Sequence, residues 1–390
     1  MSLRKLLIIF FFINTFVVMD TIYANGRGKS MKSLLAQATT SFKYDSNVFR
    51  TRNNTNSDSI MEVSPVLGFN IFPLGSDLSM KYVGAYGRYV TYQVEDYLHH
   101  NLDVNFSSNS DLNWVIDALG NYERSQDSRG NTWANLTLND SPNFWTLQSA
   151  TVLVSHSKSD AIASWEGSIK RGYLRYEKVS QSFNDLTKTT YKLKNDYKLS
   201  GKTSTYLSIS WSDILFPNSN NVTKSDNTET RYVFGAEWKS SGKTVSYAEF
   251  GWMVKSYKQN EELNYSDVYI NAELNWSRKS YSKIVFSLLR DTNDRIFGNS
   301  VSHVKNDAGI TWVHQFTRRW HSSLMFKARL DQFNNNETDY YYTISPKMTF
   351  IVTRWLSVNT QFSWNNKNST ITNNQYSQFY LNSSITLLLP

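Results

Sequence analysis

The chain has 390 residues, is 40% hydrophobic and 15% aromatic, and carries a formal charge of +8 with a mean hydropathy of -0.48. It is too polar for a bundle of membrane helices. With no cysteine it can hold no disulfide framework, thiolate metal site or lipidated cysteine.

Arg4 and Lys5 precede the apolar run from Leu6 to Val18, and Tyr23-Ala24 puts a small residue at a cleavage position. Residues 1–24 therefore read as a secretory signal peptide. The run is interrupted by Asn14 and falls short of the ~20 apolar residues that cross a bilayer. Residues 25–35 read as a basic lead with Arg27, Lys29 and Lys32, expected to be periplasmic, and 36–390 as the body.

From Ala36 onward polar and apolar residues alternate. Ala36, Ala38, Phe42 and Tyr44 oppose Gln37, Thr39, Ser41 and Lys43 in a first strand. Arg50–Ser59 is a polar loop, Met61, Val63, Leu67, Phe69 and Ile71 form one face of the return strand, and Pro73–Asp77 is a tight turn. The pattern is cleanest in Asp267–Trp276, where Val268, Ile270, Ala272, Leu274 and Trp276 interleave with Asp267, Tyr269, Asn271, Glu273 and Asn275. Ser323–Asp331 and Leu356–Trp364 repeat it.

Successive side chains of an extended chain point to opposite faces, so each segment has an apolar and a polar side. Half-charged strands cannot stack into a dry sandwich. An antiparallel sheet closed on itself, apolar side to lipid and polar side to a wet lumen, satisfies both faces and leaves no edge.

Short turns at Ser108–Asp111, Ser157–Asp160, Ser200–Thr203, Ser240–Thr244, Arg278–Ser282, Thr317–Arg319 and Thr353–Arg354 alternate with longer polar stretches. Those are Ser125–Asn131, Asn218–Thr230, Asn334–Asp339 and Asn365–Gln375. The asymmetry is that of periplasmic turns and extracellular loops. The expected fold is an all-β transmembrane antiparallel up-and-down barrel of about 18 strands. Sixteen is the alternative, because Gln126–Leu147 and Asp291–Val304 read ambiguously. Trp238, Trp276, Trp320 and Trp355 near the short turns suit a headgroup girdle. The chain ends in Pro390 where barrels usually end in an aromatic, yet Phe379, Leu381, Ile385, Leu387 and Leu389 keep a closing-strand pattern.

Tyr44–Arg50 reads Tyr-Asp-Ser-Asn-Val-Phe-Arg, followed by Ser57-Asp58 and a strand containing Ser64-Pro65. Over roughly Ser41–Gly68 the chain resembles the outer-membrane β-barrel porin family of the porin-2 type, often associated with exopolysaccharide-export operons. Beyond that stretch the resemblance rests on hairpin rhythm. It implies a transport barrel for surface polysaccharide.

Searches for chemistry return little. Gly-Lys-Ser or Gly-Lys-Thr at Gly28–Ser30, Gly201–Thr203 and Gly242–Thr244 lacks the preceding glycine of a phosphate loop, and no nucleophile elbow or zincin motif is present. No catalytic residue, metal site or cofactor is expected, and nothing points to nucleic acid. Of the six histidines, His99-His100 are expected in a loop and His314 on the outer surface near an interface.

On the expected lumen face stand the cations Lys192, Lys194, Lys198, Arg231, Lys327, Arg329 and Lys347, the candidates for solute binding. Asp196, Glu237, Glu249, Glu273 and Asp331 share that face, as do Tyr206, Tyr247, Tyr269 and Tyr380. Rings of cations favour anions in a pore, while the same charges could simply pair and hydrate a wet lumen. Asn218–Thr230, long and polar, is the expected constriction.

The expected function is an outer-membrane channel passing or exporting an exopolysaccharide or another polar or anionic solute. A non-transport barrel with a structural or surface-binding role is the alternative, and a barrel enzyme a third. Expected partners are outer-membrane lipid, lipopolysaccharide, a polysaccharide solute and the barrel-assembly machinery.

Overall fold

The computed structural model describes residues 33–390 apart from 72–75, 109–112, 135, 137–139, 157–160, 219–224, 242–243, 295–299, 301 and 390. The expected signal peptide, most of the basic lead, much of the turns at Pro73 and Ser108, all of Ser157–Asp160 and the middle of Asn218–Thr230 lie outside the described residues.

Alternation produces strands throughout. The first six are β1 (Ser33–Asp45), β2 (Asp58–Ile71), β3 (Asp77–Tyr89), β4 (Tyr97–Ser107), β5 (Trp114–Gln126) and β6 (Phe144–His156). Next come β7 (Ala163–Tyr176), β8 (Leu186–Lys198), β9 (Thr203–Leu215), β10 (Asn227–Ser241), β11 (Thr244–Tyr257) and β12 (Tyr265–Lys279). The last are β13 (Ser282–Asn293), β14 (His303–Gln315), β15 (Trp320–Phe333), β16 (Thr338–Ile351), β17 (Leu356–Ser369) and β18 (Tyr376–Leu389).

Every neighbouring pair is antiparallel, and β1 pairs with β18 from Ala36 opposite Leu389 to Asp45 opposite Tyr380. The sheet is a closed 18-stranded barrel, which settles the count at the higher of the two expected values. Leu389 bonds into the seam, so the unusual terminus does not interrupt closure. A 13-residue strand such as β8 is about 43 Å long at about 3.3 Å per residue. Tilted by roughly 40°, it clears a hydrocarbon layer of about 30 Å.

Register puts like with like. Phe250 on β11 lies between Phe234 and Ile270, all outward, whereas the next residue back, Glu249, lies between Gly235 and Asn271 on the lumen side. The exposed large side chains follow the outward set: Leu207, Tyr232, Phe234, Phe250, Trp252 and Phe362 among them. Trp276, Trp320 and Trp355 are exposed at the short-turn end, joined by Trp114 and Trp165. Two lumen tyrosines lie flat on glycine: a Cβ on Gly87 would meet the Tyr97 ring at 2.1 Å, and one on Gly235 would meet the Tyr206 ring at 2.1 Å.

Strand ends differ from expectation at the long-loop rim. β2 starts at Asp58, β10 at Asn227, and β17 runs on to Ser369, while at the opposite, short-turn end β1 starts at Ser33, three residues early. The rim extensions are polar on both faces, for instance Asn366 and Asn368 beside Asn365 and Lys367. They stand beyond the apolar band, where neither face needs to be oily. His99 and His100 belong to β4, not to a loop. A histidine on each face hid the alternation there; the His100 ring nitrogen Nδ1 lies 2.8 Å from the Tyr82 hydroxyl on the outside. Gln126–Leu147 resolves into a long loop, 127–143, and the start of β6.

Replacing Phe250 by Arg should cost about 2–4 kcal/mol of unfolding free energy in lipid vesicles. Val233→Gln, on the wet side of the adjacent strand, should cost under ~1 kcal/mol. Equilibrium denaturant titration in vesicles measures both, and equal losses would contradict the assigned faces.

Candidate functional site: a strapped lumen

The lumen is crossed at its long-loop end by the segment between β5 and β6. Its base is tied by Asp127 donating its backbone N–H to Asn143 and by a 3-10 turn at Thr132–Ala134. The Asn143 side chain donates to the Ala134 carbonyl at 2.8 Å. Arg129 forms a two-pronged pair with Glu95, at 2.9 Å and 2.6 Å, and its guanidinium lies 4.9 Å from the Phe49 ring centre.

The far end docks on β14 to β17. Lys367 donates to the Gly130 carbonyl at 3.2 Å and to the Thr132 hydroxyl at 2.6 Å, and sits 3.1 Å from Asp339. Thr132 in turn donates to Asp339. Trp133 stacks on His303 at 5.1 Å, with the Arg329 guanidinium 5.4 Å from the Trp133 ring. Gly130 is held against the Tyr376 hydroxyl, which would meet an added Cβ at 2.3 Å. β5 and β14 are nine strands apart in an 18-stranded circle. The segment thus spans the mouth as a strap.

Lys367 and Asp339 are each only 1% exposed. A buried pair survives where further hydrogen bonds complete it, and the strap supplies them from Gly130 and Thr132.

A second ion cluster sits at the end of β13, around Asp294. Lys255, fully buried, contacts Asp294 and lies 3.3 Å from Glu229. Lys188 on β8 approaches the same two carboxylates at 3.7 Å and 3.9 Å. Arg231 bonds Glu229 at 2.6 Å and Asp291 at 2.7 Å. Burial opposes the ionised form of Asp294, but Lys255 and Lys188 outweigh it and hold its carboxyl below the usual carboxylate range.

A family model described as Putative beta-barrel porin 2 matches residues 34–387. The chain belongs to that family. It is an outer-membrane, porin-like channel, and its short turns therefore face the periplasm and its long loops the outside. Among solved structures it is similar to OccK2 (OpdF) of Pseudomonas aeruginosa, with 9% identity and a TM-score of 0.52. That alignment covers 93% of this chain and 100% of the other. OpdK of the same species, solved with vanillate, gives 8% identity and a TM-score of 0.51, covering 92% and 100%. A BenF-like porin from Pseudomonas fluorescens Pf-5 gives 11% and 0.51, covering 92% and 100%. At these identities the likeness is one of fold. No curated protein matches the sequence.

All seven expected cations of the porin fall on its lumen face by register. They do not form one site. Lys194 pairs with Asp196 at 2.8 Å and lies 4.3 Å from the Tyr206 ring centre. Arg231 is consumed in the Glu229 cluster. Lys327 pairs with Asp307 at 3.5 Å, and Arg329 with Asp331 while bracing Trp133.

Lys192, Lys198 and Lys347 form no ion pair at contact distance among the described residues, although the Lys192 charge is felt by Glu249. Lys170, not foreseen, lies diagonal to Lys192, since Thr190 faces Lys170 and Ser168 faces Lys192. A few strands round the ring from β7 and β8, Asp103 on β4 and Asp117 and Glu123 on β5 also face the lumen.

Among the described residues it is the 127–143 segment, not foreseen, that crosses the mouth. The constriction at Asn218–Thr230 stays an expectation, since its residues 219–224 lie outside the described residues and 227–230 belong to β10. Arg129, Trp133 and Lys367 were missed with the strap. Their one signal in the sequence is a tryptophan and an arginine inside an otherwise small, polar loop.

Lys367→Met leaves Asp339 buried and unpaired and should cost about 3–5 kcal/mol locally. Hydrogen exchange at 128–134 should rise, while exchange in β8 and β9 stays unchanged. Asp294→Asn should lower the melting temperature in detergent at pH 7. The wild-type advantage is complete above about pH 4 and vanishes as pH falls through the lower pKa of Asp294. An advantage that grows on acidification would contradict the assignment.

Proposed function

We propose that this porin passes a short, negatively charged saccharide, of the size of an exopolysaccharide fragment, rather than an intact polymer strand. The observation that carries the reading is the set of lysines below the strap that form no ion pair among the described residues, Lys170, Lys192 and Lys198 along β7 and β8 and Lys347 on β16. Ammonium groups without ion-pair partners favour anions in a pore.

Lumen tyrosines beside them, Tyr206 and Tyr269, both donate to Glu249 and offer ring faces on which a sugar can stack. One solved structure similar in fold, OccK2, was obtained with glucuronate, at 9% identity and a TM-score of 0.52. The strap supports the limit on size, since a chain-length polymer would have to displace it.

A second reading has its own support. The buried Lys367–Asp339–Thr132 contacts and the buried Lys255–Asp294–Glu229 cluster favour a barrel shut by its own side chains.

Planar-bilayer recordings decide between the two. The channel reading expects stable openings, a reversal potential favouring chloride over potassium, and block by millimolar glucuronate but not by glucose. Lys192→Gln combined with Lys198→Gln should reduce anion preference at least twofold. Silence in the wild type, with openings only once Lys367→Met frees the strap, would replace the channel by the closed barrel.

A further inference from the structure

The outer wall near the extracellular rim is uneven in charge. Arg88 on β3, Arg124 on β5, and Arg171 and Arg175 on β7 share the outward parity of the exposed Tyr86, Tyr122, Ile169 and Tyr173. On the other strands the corresponding outward positions are uncharged, as with Tyr44, Tyr340, Asn366 and Ser377, or acidic, as with Asp213, and the one arginine there among the described residues is Arg290.

Arg124 is opposite Thr146, which is opposite Arg175. The two arginines are thus two strands, about 10 Å, apart. Arg124 is fixed rather than free. It donates to Glu177 at 2.7 Å and 3.1 Å and to the Leu98 carbonyl at 2.7 Å, with its plane 4.8 Å from the Phe144 ring centre.

Arg171 rests 5.2 Å from the Tyr173 ring centre. Neither it nor Arg175 has a carboxylate partner among the described residues. Arg88 is 80% exposed, with Asp96 at 3.7 Å. The four guanidinium groups thus meet two carboxylates, which leaves an excess of positive charge on one sector.

Two grooves flank that charge. One of about 470 Å³ is lined by Tyr86, Arg88, Leu98, Arg124 and Phe144. The other, about 560 Å³, runs down the apolar wall between Val152, Ile169, Tyr191, Leu193 and Trp211. It opens at Gly167, where an added Cβ would meet nothing within 4 Å. Ile169 lines it, and Arg171 stands two residues above on the same face. Arginines unmatched at a membrane boundary are stabilised by an anion that accepts from the planar fork, and phosphate fits it best. An apolar groove ending beneath them takes a hydrocarbon chain.

We propose that the β3–β8 sector is a binding site for a phosphorylated glycolipid of the outer leaflet. Its phosphate groups are held by Arg124, Arg171 and Arg175, and an acyl chain lies in the groove at Gly167. The site rests on the outer-membrane placement of the chain and is independent of whether the lumen conducts.

Native mass spectrometry of the full chain released from detergent tests it, with lipid A, its monophosphorylated form and phosphatidylglycerol as probes. Wild type should retain one lipid A, at an affinity at least tenfold above that for phosphatidylglycerol and severalfold above the monophosphorylated form. The triple variant Arg124→Gln, Arg171→Gln, Arg175→Gln should lose at least tenfold, and Arg290→Gln should lose nothing.

Gly167→Leu, which fills the groove without touching a charge, should weaken retention and supplies the test should the triple variant fail to show the heat-modifiable gel mobility of a folded barrel. Undiminished lipid A retention in a folded triple variant, or in Gly167→Leu, would overturn the site. So would phosphatidylglycerol binding as well as lipid A.

Discussion

The seam between β1 and β18 is the contact on which the rest depends. In hydrocarbon an unpaired backbone N–H or C=O costs several kcal/mol, and an open edge would present a whole row of them. Ten residue pairs from Ala36–Leu389 to Asp45–Tyr380 remove that edge. Once the circle is closed, the parity of each residue along its strand decides whether it meets lipid or the enclosed space. The outward aromatics and the inward lysines are two consequences of one geometry.

Closure also creates a problem inside. A cylinder of polar faces brings many charges together at low hydration, and a buried charge is tolerated only with partners. The porin answers differently at different heights. Near the outer rim the charges are locked, Lys367 with Asp339 and the strap, Lys255 with Glu229 and Asp294. Lower down, several lysines form no ion pair at contact distance among the described residues, so the part of the lumen able to meet a solute lies beneath the part that is spent on holding loops in place. On the proposed reading, the residues that meet a solute are separate from those that hold the loops.

The outer wall follows the same logic with another solvent. Most of it is apolar and matches acyl chains, with tryptophans at the short-turn boundary where an amphipathic ring rests well. Where guanidinium groups gather on β3, β5 and β7, the surroundings must supply negative charge. The outer leaflet is the compartment that holds phosphorylated glycolipid.

How much of this could be read in advance divides along a physical line. Side-chain direction in a strand is a local property of backbone geometry, so alternation alone identified the barrel, gave 18 strands as its leading count and put all seven expected cations on the lumen side. Three of their pairings were also within reach, because Lys194 and Asp196, Glu229 and Arg231, and Arg329 and Asp331 are two residues apart on one face. The rim extensions escaped, since a strand end beyond the lipid has no oily face to betray it.

What no local pattern contains is the strap. Thr132 meets Asp339 and Lys367 only because closure places β5 and β14 to β17 across a lumen from one another, at separations of more than 200 residues. Which lysines are left out of ion pairs, and which loop folds inward to occupy the mouth, are decided by those distant partners and so by the tertiary structure alone.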